Sequence, residues 1–370
     1  MGRTAVLATA FLLAVVTNAN ANERTVPQGW LGVTVDGPME VGDAAEWDRM
    51  PRAGVETVRT AFSWAQLQPR PPDGVAAGAT TDFAATDRVV IAAARRRLAL
   101  LPVVQWPPSW AALPLGLLNS PPADPADVRR IFTALVERYG PRGSLWSEHP
   151  DLRPVPIRAW QVFNEPNLWG YWPVEPFAPS YTATLEAAAR GIRAADPAAT
   201  VVLGGLTGES WLALDALYAA GARGAFDAVA IHPYTARPAD VLRIVRYTRR
   251  VMASNGDATT PIWITELSWP AAAGRIRDTP DWTAIGDRAQ AKLLNRVMRR
   301  FVAVRRRLRI ERLLWYTWLS AETGATAWDY AGLRRIDDGA RRITPALRVF
   351  RRWARRLEGC PKTRDARRCR

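Results

Sequence analysis

Two glutamates stand where apolar, strand-like runs end. Glu165 closes Trp160-Gln161-Val162-Phe163-Asn164-Glu165-Pro166, and Glu266 closes Ile262-Trp263-Ile264-Thr265-Glu266-Leu267. A carboxylate held in an apolar setting at the end of a rigid strand is costly, so it usually has a chemical task. A pair of carboxyls suits a reaction in which one protonates a departing oxygen while the other attacks the carbon or activates water. Splitting a glycosidic bond has that requirement. The pair must also differ in surroundings. A guanidinium beside one carboxyl lowers its pKa and keeps it nucleophilic, whereas drier surroundings let the other hold its proton toward neutral pH. Plain structural roles compete with this reading: a capping or surface glutamate at Glu165, a satisfied core histidine at His232, a solvent-facing Arg59 and a turn-forming Asn164. The pairing of Glu165 with Glu266 favours chemistry.

Other chemistries lack their residues. The chain has only His149 and His232 and no Gly-x-Ser-x-Gly elbow, which disfavours a serine hydrolase and a histidine-based metal site. No phosphate-binding loop is present. No cofactor and no metal are expected. The two cysteines, Cys360 and Cys369, sit in the last eleven residues, too far along to staple a core. In an oxidising compartment they would close a small loop on the tail.

Such carboxyls need a scaffold, and the chain writes one as a repeated alternation. β-Branched apolar runs at 29–35, 57–62, 99–105, 157–164, 200–206, 228–232, 262–266 and 313–318 predict eight strands. Alanine- and arginine-rich stretches at 44–53, 86–97, 125–139, 180–195, 211–220, 239–253, 288–307 and 344–357 predict the helices between them. Asp124 before Pro125 and Gly140 after Tyr139 are start and stop signals. Strand–helix units repeated eight times predict an α/β fold, a (β/α)₈ TIM barrel forming a single catalytic domain over residues 22–358. An open doubly wound sheet is less favoured, because the glycine-rich turn after its first strand is missing. Proline- and aromatic-rich connections after the second, third and fourth strands would wall a cleft on the face where such barrels carry their sites.

With these elements in place, the chain resembles the clan A retaining glycoside hydrolases, closest to families 39 and 5. The resemblance rests on Asn164-Glu165-Pro166, on the Trp-Ile-Thr-Glu run ending at Glu266 and on His232-Pro233-Tyr234 at the sixth strand. It also includes Val58-Arg59, Ser63-Trp64, Trp315, Trp318 and Ala331-Gly332-Leu333, and it spans nearly the whole mature chain. The resemblance implies Glu165 as acid/base, Glu266 as nucleophile and retention of configuration. It further implies that Asn164 meets the sugar 2-hydroxyl, that Arg59 and Tyr234 keep Glu266 ionised, and that His232 and Trp318 line the sugar subsite. Among the 17 tryptophans, only Trp318 and Trp106 are assigned to sugar, whose CH-rich face suits a flat indole. The expected partner is an oligo- or polysaccharide, in β linkage. A barrel that keeps its cleft without turnover, serving as a carbohydrate receptor, is the alternative.

Residues 1–21 read as an export signal. Arg3 precedes a short apolar run, and Ala19-Asn20-Ala21 is a small-residue cleavage site, so a secreted protein with no integral membrane span after cleavage is expected. The net charge of +15 invites a nucleic-acid reading, yet Lys292 and Lys362 are the only lysines among 50 basic residues. Arginine runs such as Arg95-Arg96-Arg97 and Arg305-Arg306-Arg307 are how a solvated helix face is written. No nucleic-acid motif accompanies them, and no nucleic-acid partner is expected. The basic C-terminal tail, 359–370, predicts weak adhesion to anionic cell-wall polymer.

Overall fold

The computed structural model describes residues 24–36, 43–72, 81–277 and 283–358. Residues 1–21, expected to be an export signal, the cysteine pair and the basic tail lie outside the described residues. Eight predicted strands and eight predicted helices all appear, and they alternate as β/α units. The barrel strands are β1 (Leu31–Val35), β2 (Thr57–Ser63), β3 (Ala99–Gln105), β4 (Ala159–Val162), a fifth in two pieces, β5 (Thr200–Val202) and β6 (Leu206–Thr207), then β7 (Val229–His232), β8 (Ile262–Ile264) and β9 (Ile310–Tyr316). Every pairing among them is parallel, in the order β5-β4-β3-β2-β1-β9-β8-β7-β6. Bridges from Val202 to Ala228 and from Asn164 to Gly205 join the two pieces of the fifth strand into the ring and close the barrel.

The interruption of the fifth strand has a steric cause. A Cβ at Gly205 would lie 2.0 Å from His232 Nε2, and one at Gly204 would meet the Tyr181 hydroxyl at 2.8 Å. Only glycines let the backbone pass so close to the ring and the phenol. The Gly204 amide donates to the Tyr181 oxygen at 2.7 Å, and the Tyr181 hydroxyl donates to the Val162 carbonyl at 2.7 Å, so the phenol satisfies the Gly204 amide at the break and ties it to β4.

Helix boundaries follow the sequence signals. In the helix Pro125–Tyr139 the Asp124 side chain accepts from the Ala126 amide, Pro125 occupies the first turn and Gly140 follows the last residue. In the helix Pro345–Leu357 the Thr344 hydroxyl accepts from the Leu347 amide. The helix Asp287–Leu308, the longest among the described residues, buries Leu294, Val297, Met298 and Phe301 and leaves Arg299, Arg300, Arg306 and Arg307 exposed, as a solvated face requires. No helix among the described residues is long and apolar enough to cross a membrane.

Two apolar layers result. Leu101, Val202, Ala228, Ala230, Trp263 and Leu314 fill the barrel interior, while a larger core packs the outer strand faces against the helices. Beyond β9 the chain adds a three-stranded sheet, β10 (Leu319–Ala321), β11 (Arg334–Asp337) and β12 (Ala340–Ile343), together with a 3₁₀ turn, Ala327–Tyr330. This addition sits after the last barrel strand and carries Trp328 to the cavity.

Candidate active site

The period-2 alternation of the strands decides which side chains enter the barrel. On β2 the face that includes Arg59 points inward; on β4 it is the face of Gln161, on β7 that of Ala230 and His232, and on β8 that of Trp263. The C-terminal ends of these strands open into a cavity of about 450 Å³, within the range of small-molecule sites. Its walls include Arg59, Gln105, Trp106, Asn164, Glu165, Tyr171, Tyr234, Glu266, Tyr316 and Trp328.

Strict alternation would send Asn164 and Glu165 to opposite faces. Both nevertheless line the cavity, because Phe163 (φ +60°) and Glu165 (φ +43°) adopt left-handed backbone. Non-glycine residues in that region cost on the order of 1–3 kcal/mol each, and such costs concentrate at functional sites. Trp106 (φ +58°), one residue beyond β3, turns into the cavity in the same way.

Arg59 is the organising cation. Its Nη1 donates to Glu266 Oε1 at 2.5 Å, its Nη2 to Asn164 Oδ1 at 2.6 Å and its Nε to Gln161 Oε1 at 2.7 Å. Three acceptors from the ends of two strands, β4 and β8, thus fix one planar fork. The Tyr234 hydroxyl donates to the other Glu266 oxygen at 2.9 Å. Burial alone would raise the Glu266 carboxyl. The charges of His232 and Arg59 and the hydrogen bonds from Tyr234 and Arg59 outweigh it and hold the group below the ordinary carboxylate range. Burial, reinforced by Glu266, pushes the Tyr234 phenol well above its usual value, so it stays a donor.

Glu165 has a different partner. Its Oε1 lies 2.7 Å from His232 Nδ1, and His232 Nε2 lies 3.0 Å from the Thr265 hydroxyl. One oxygen of Glu165, one of Glu266 and His232 Nδ1 all fall within 4.8 Å of one another. That trio is the one group of potential metal ligands among the described residues. Its donor set does not suit a cation, because Glu266 is already paired with a guanidinium and the His232 nitrogen is already engaged with Glu165.

The structure therefore brings together Glu165, Glu266, Arg59, Asn164, Tyr234 and Trp106. Two expectations are corrected. His232 is fully buried and does not line the cavity; it stands behind Glu165 and bears on the cavity only through that carboxylate. Trp318 is also fully buried, outside the cavity, and its indole donates to Glu46 Oε2 at 3.0 Å beside the Arg334–Glu46 ion pair. The reason is register: β9 ends at Tyr316, whose side chain shares the inward face of Leu314, and the chain then turns before Trp318. Trp318→Phe is accordingly expected to leave KM unchanged and to lower stability by about 1–3 kcal/mol, the cost of stripping a buried hydrogen bond, measurable by urea unfolding.

Sequence reasoning missed Gln161, Thr265, Tyr171, Tyr316 and Trp328. The first two, and Tyr316, were within reach of alternation counted from a known inward residue. Trp328 was not. It comes from the 3₁₀ turn between β10 and β11 and packs edge-on against Tyr234 at 4.8 Å and Tyr316 at 5.6 Å, giving an aromatic wall beside Glu266.

By sequence, neither a protein family nor a curated protein matches the chain. By structure, many solved proteins do. A family 39 glycoside hydrolase from Bacteroides cellulosilyticus WH2 superposes with a TM-score of 0.64 at 19% identity over 90% of this chain and 64% of its own. A monomeric β-xylosidase from Caulobacter crescentus CB15 gives 0.66 at 17% identity over 90% of this chain and 69% of its own. A GH5_18 protein from Bifidobacterium longum, solved with Manβ1-4GlcNAc, gives 0.62 at 14% identity over 88% and 77%. The chain has the barrel fold of the glycoside hydrolases. Its neighbours include the two families that the motifs resemble, and the chain spans less than two thirds of the family 39 protein's length.

Proposed function

We propose that the protein is a secreted retaining glycoside hydrolase acting on β-linked sugars, with Glu165 as acid/base and Glu266 as nucleophile. The observation that carries this reading is the approach of a Glu165 oxygen and a Glu266 oxygen to within 4.8 Å across one cavity, with Arg59 and Tyr234 both hydrogen-bonded to Glu266. Carboxyls about 5–5.5 Å apart suit direct attack, whereas inversion needs about 6.5–9.5 Å to admit a water. Glu266, ionised by its neighbours, would attack the anomeric carbon, and Glu165 would hand a proton to the leaving oxygen. Water would then be deprotonated by Glu165 as the glycosyl–enzyme ester breaks. The Asn164 oxygen is taken by Arg59, which leaves the amide N–H groups to meet a sugar hydroxyl. Among the described wall residues Asp36, Glu165 and Glu266 are acidic and Arg59 alone is basic, so a neutral sugar fits better than a uronide. Export is part of the proposal on the strength of the 1–21 segment.

Incubation with a panel of 4-nitrophenyl β-glycosides, followed by proton NMR of the first-formed anomer, tests the reading. The β-anomer is expected to appear first and mutarotate later. First appearance of the α-anomer would refute retention. Sugar binding by an intact protein that cleaves nothing would favour a receptor.

A further inference from the structure

The loops after β3 and β4 carry an apolar surface that joins the cavity. Leu115, Leu117 and Leu118 on the first, and Leu168, Trp169 and Tyr171 on the second, are the exposed large hydrophobics of this region; Leu118 is 77% and Trp169 61% accessible. No Asp, Glu, Lys or Arg occurs over 107–123 or 166–174, in a chain that is 23% charged. The two loops are held together. An antiparallel bridge from Ala112 to Pro122 closes the first into a narrow projection, and the Asn119 amide at its tip donates to the Gly170 carbonyl at 2.6 Å. Leu168 and Tyr171 belong both to this surface and to the cavity wall, so the two are continuous.

Its position relative to Glu165 gives it a meaning. The Leu168 amide donates to the Glu165 carbonyl at 2.9 Å, and the Tyr171 amide to the Leu168 carbonyl at 2.9 Å, so the patch is the outward continuation of the residue assigned to protonate the leaving oxygen. We propose that this collar binds the apolar aglycone of an amphiphilic glycoside, an alkyl or lipid-like leaving group, with the sugar held below it at Glu266. The assignment of sides rests on the hydrolase reading above. Aliphatic rather than carbohydrate chemistry follows from the balance of the side chains: four of the six exposed large hydrophobics of the collar are branched leucines, the two loops carry no charged residue, and Trp169 and Tyr171 pack against a methylene chain as readily as against a pyranose. Asn119 beside the leucines spends an amide N–H on the Gly170 carbonyl, holding the two loops together.

Isothermal titration below the micelle concentration, with n-octyl and methyl β-D-glucosides and the corresponding xylosides, tests the collar without requiring turnover. For at least one sugar the octyl glycoside is expected to bind roughly tenfold or more tighter than the methyl glycoside, from burial of a few methylenes. In Leu117→Ser/Leu118→Ser/Trp169→Ser that gap should collapse with Tm unchanged; Leu118→Ser alone, at the most exposed position, should narrow it if the triple variant folds poorly. An equal affinity of octyl and methyl glycosides, a gap that survives both variants, or a collar-dependent preference for cellotetraose over octyl glucoside would overturn the proposal. A wild type that shows the gap yet cleaves no aryl glycoside would leave the collar standing and remove the hydrolase reading instead.

Discussion

Glu266→Ala is expected to lower kcat on an aryl β-glycoside by roughly a thousandfold or more, with azide restoring part of the rate and yielding the α-glycosyl azide. The vacated carboxylate leaves a site on the face opposite the leaving group, and a small anion there attacks once, with inversion. Glu165→Ala should behave differently. A 2,4-dinitrophenyl leaving group needs no proton, so the first step persists while the second, which needs Glu165 as base, becomes limiting. Azide then attacks the glycosyl–enzyme and gives the β-glycosyl azide. Substrates with poor leaving groups should lose about 10²–10⁴-fold. The two anomers of azide product, read by NMR, separate the roles. The same anomer from both variants, or no loss in either, would refute the assignment.

Arg59→Met is expected to be the most damaging substitution outside the carboxyl pair. It strands a buried Glu266 carboxylate and removes the donor from Asn164 and Gln161 together, which places the cost at about 3–5 kcal/mol by urea unfolding at neutral pH. Arg59→Lys keeps the charge but presents a point donor to three divergent acceptors, so it should rescue only part of the loss. The pH dependence has a definite sign. Because the folded Glu266 lies below its ordinary value, its contribution to stability is fully present above the unfolded carboxylate pKa and is lost as pH falls through the lowered folded value. Activity depends on the same ionised form. Weakening the Arg59 interaction raises the Glu266 pKa, so the acid limb of the kcat/KM profile should move to higher pH in Arg59→Lys. An unmoved acid limb would mean that Arg59 does not set the charge state of Glu266.

His232 and Gly205 belong to one device. The ring that positions Glu165 occupies space that any side chain at position 205 would claim, and the fifth barrel strand is broken there as a result. The geometry of Glu165, the proposed acid/base, thus depends on a glycine on the neighbouring strand, about forty residues further along the chain.

The barrel was legible from sequence because its information is local. Apolar runs of strand length, alanine-rich helices between them and capping pairs such as Asp124–Pro125 each specify an element from neighbouring residues, and eight such units admit few arrangements. Glu165 and Glu266 were legible for a related reason: charge at the end of an apolar strand is conspicuous in one dimension. The tryptophans were less readable. Trp318 lies beyond the end of β9, where a turn reassigns faces, and a shift of one residue in strand register exchanges cavity for core. Tyr316 holds the cavity position and Trp318 bonds Glu46, a decision made by where the strand stops. The left-handed backbone at Phe163 and Glu165, the arrival of Trp328 from an added 3₁₀ turn and the meeting of two uncharged loops across Asn119 and Gly170 are likewise invisible in sequence. Sequence by itself determined the elements and the chemistry they could carry. Tertiary structure decided which side chains share one cavity, because that depends on distances between residues a hundred positions apart, which no local pattern encodes.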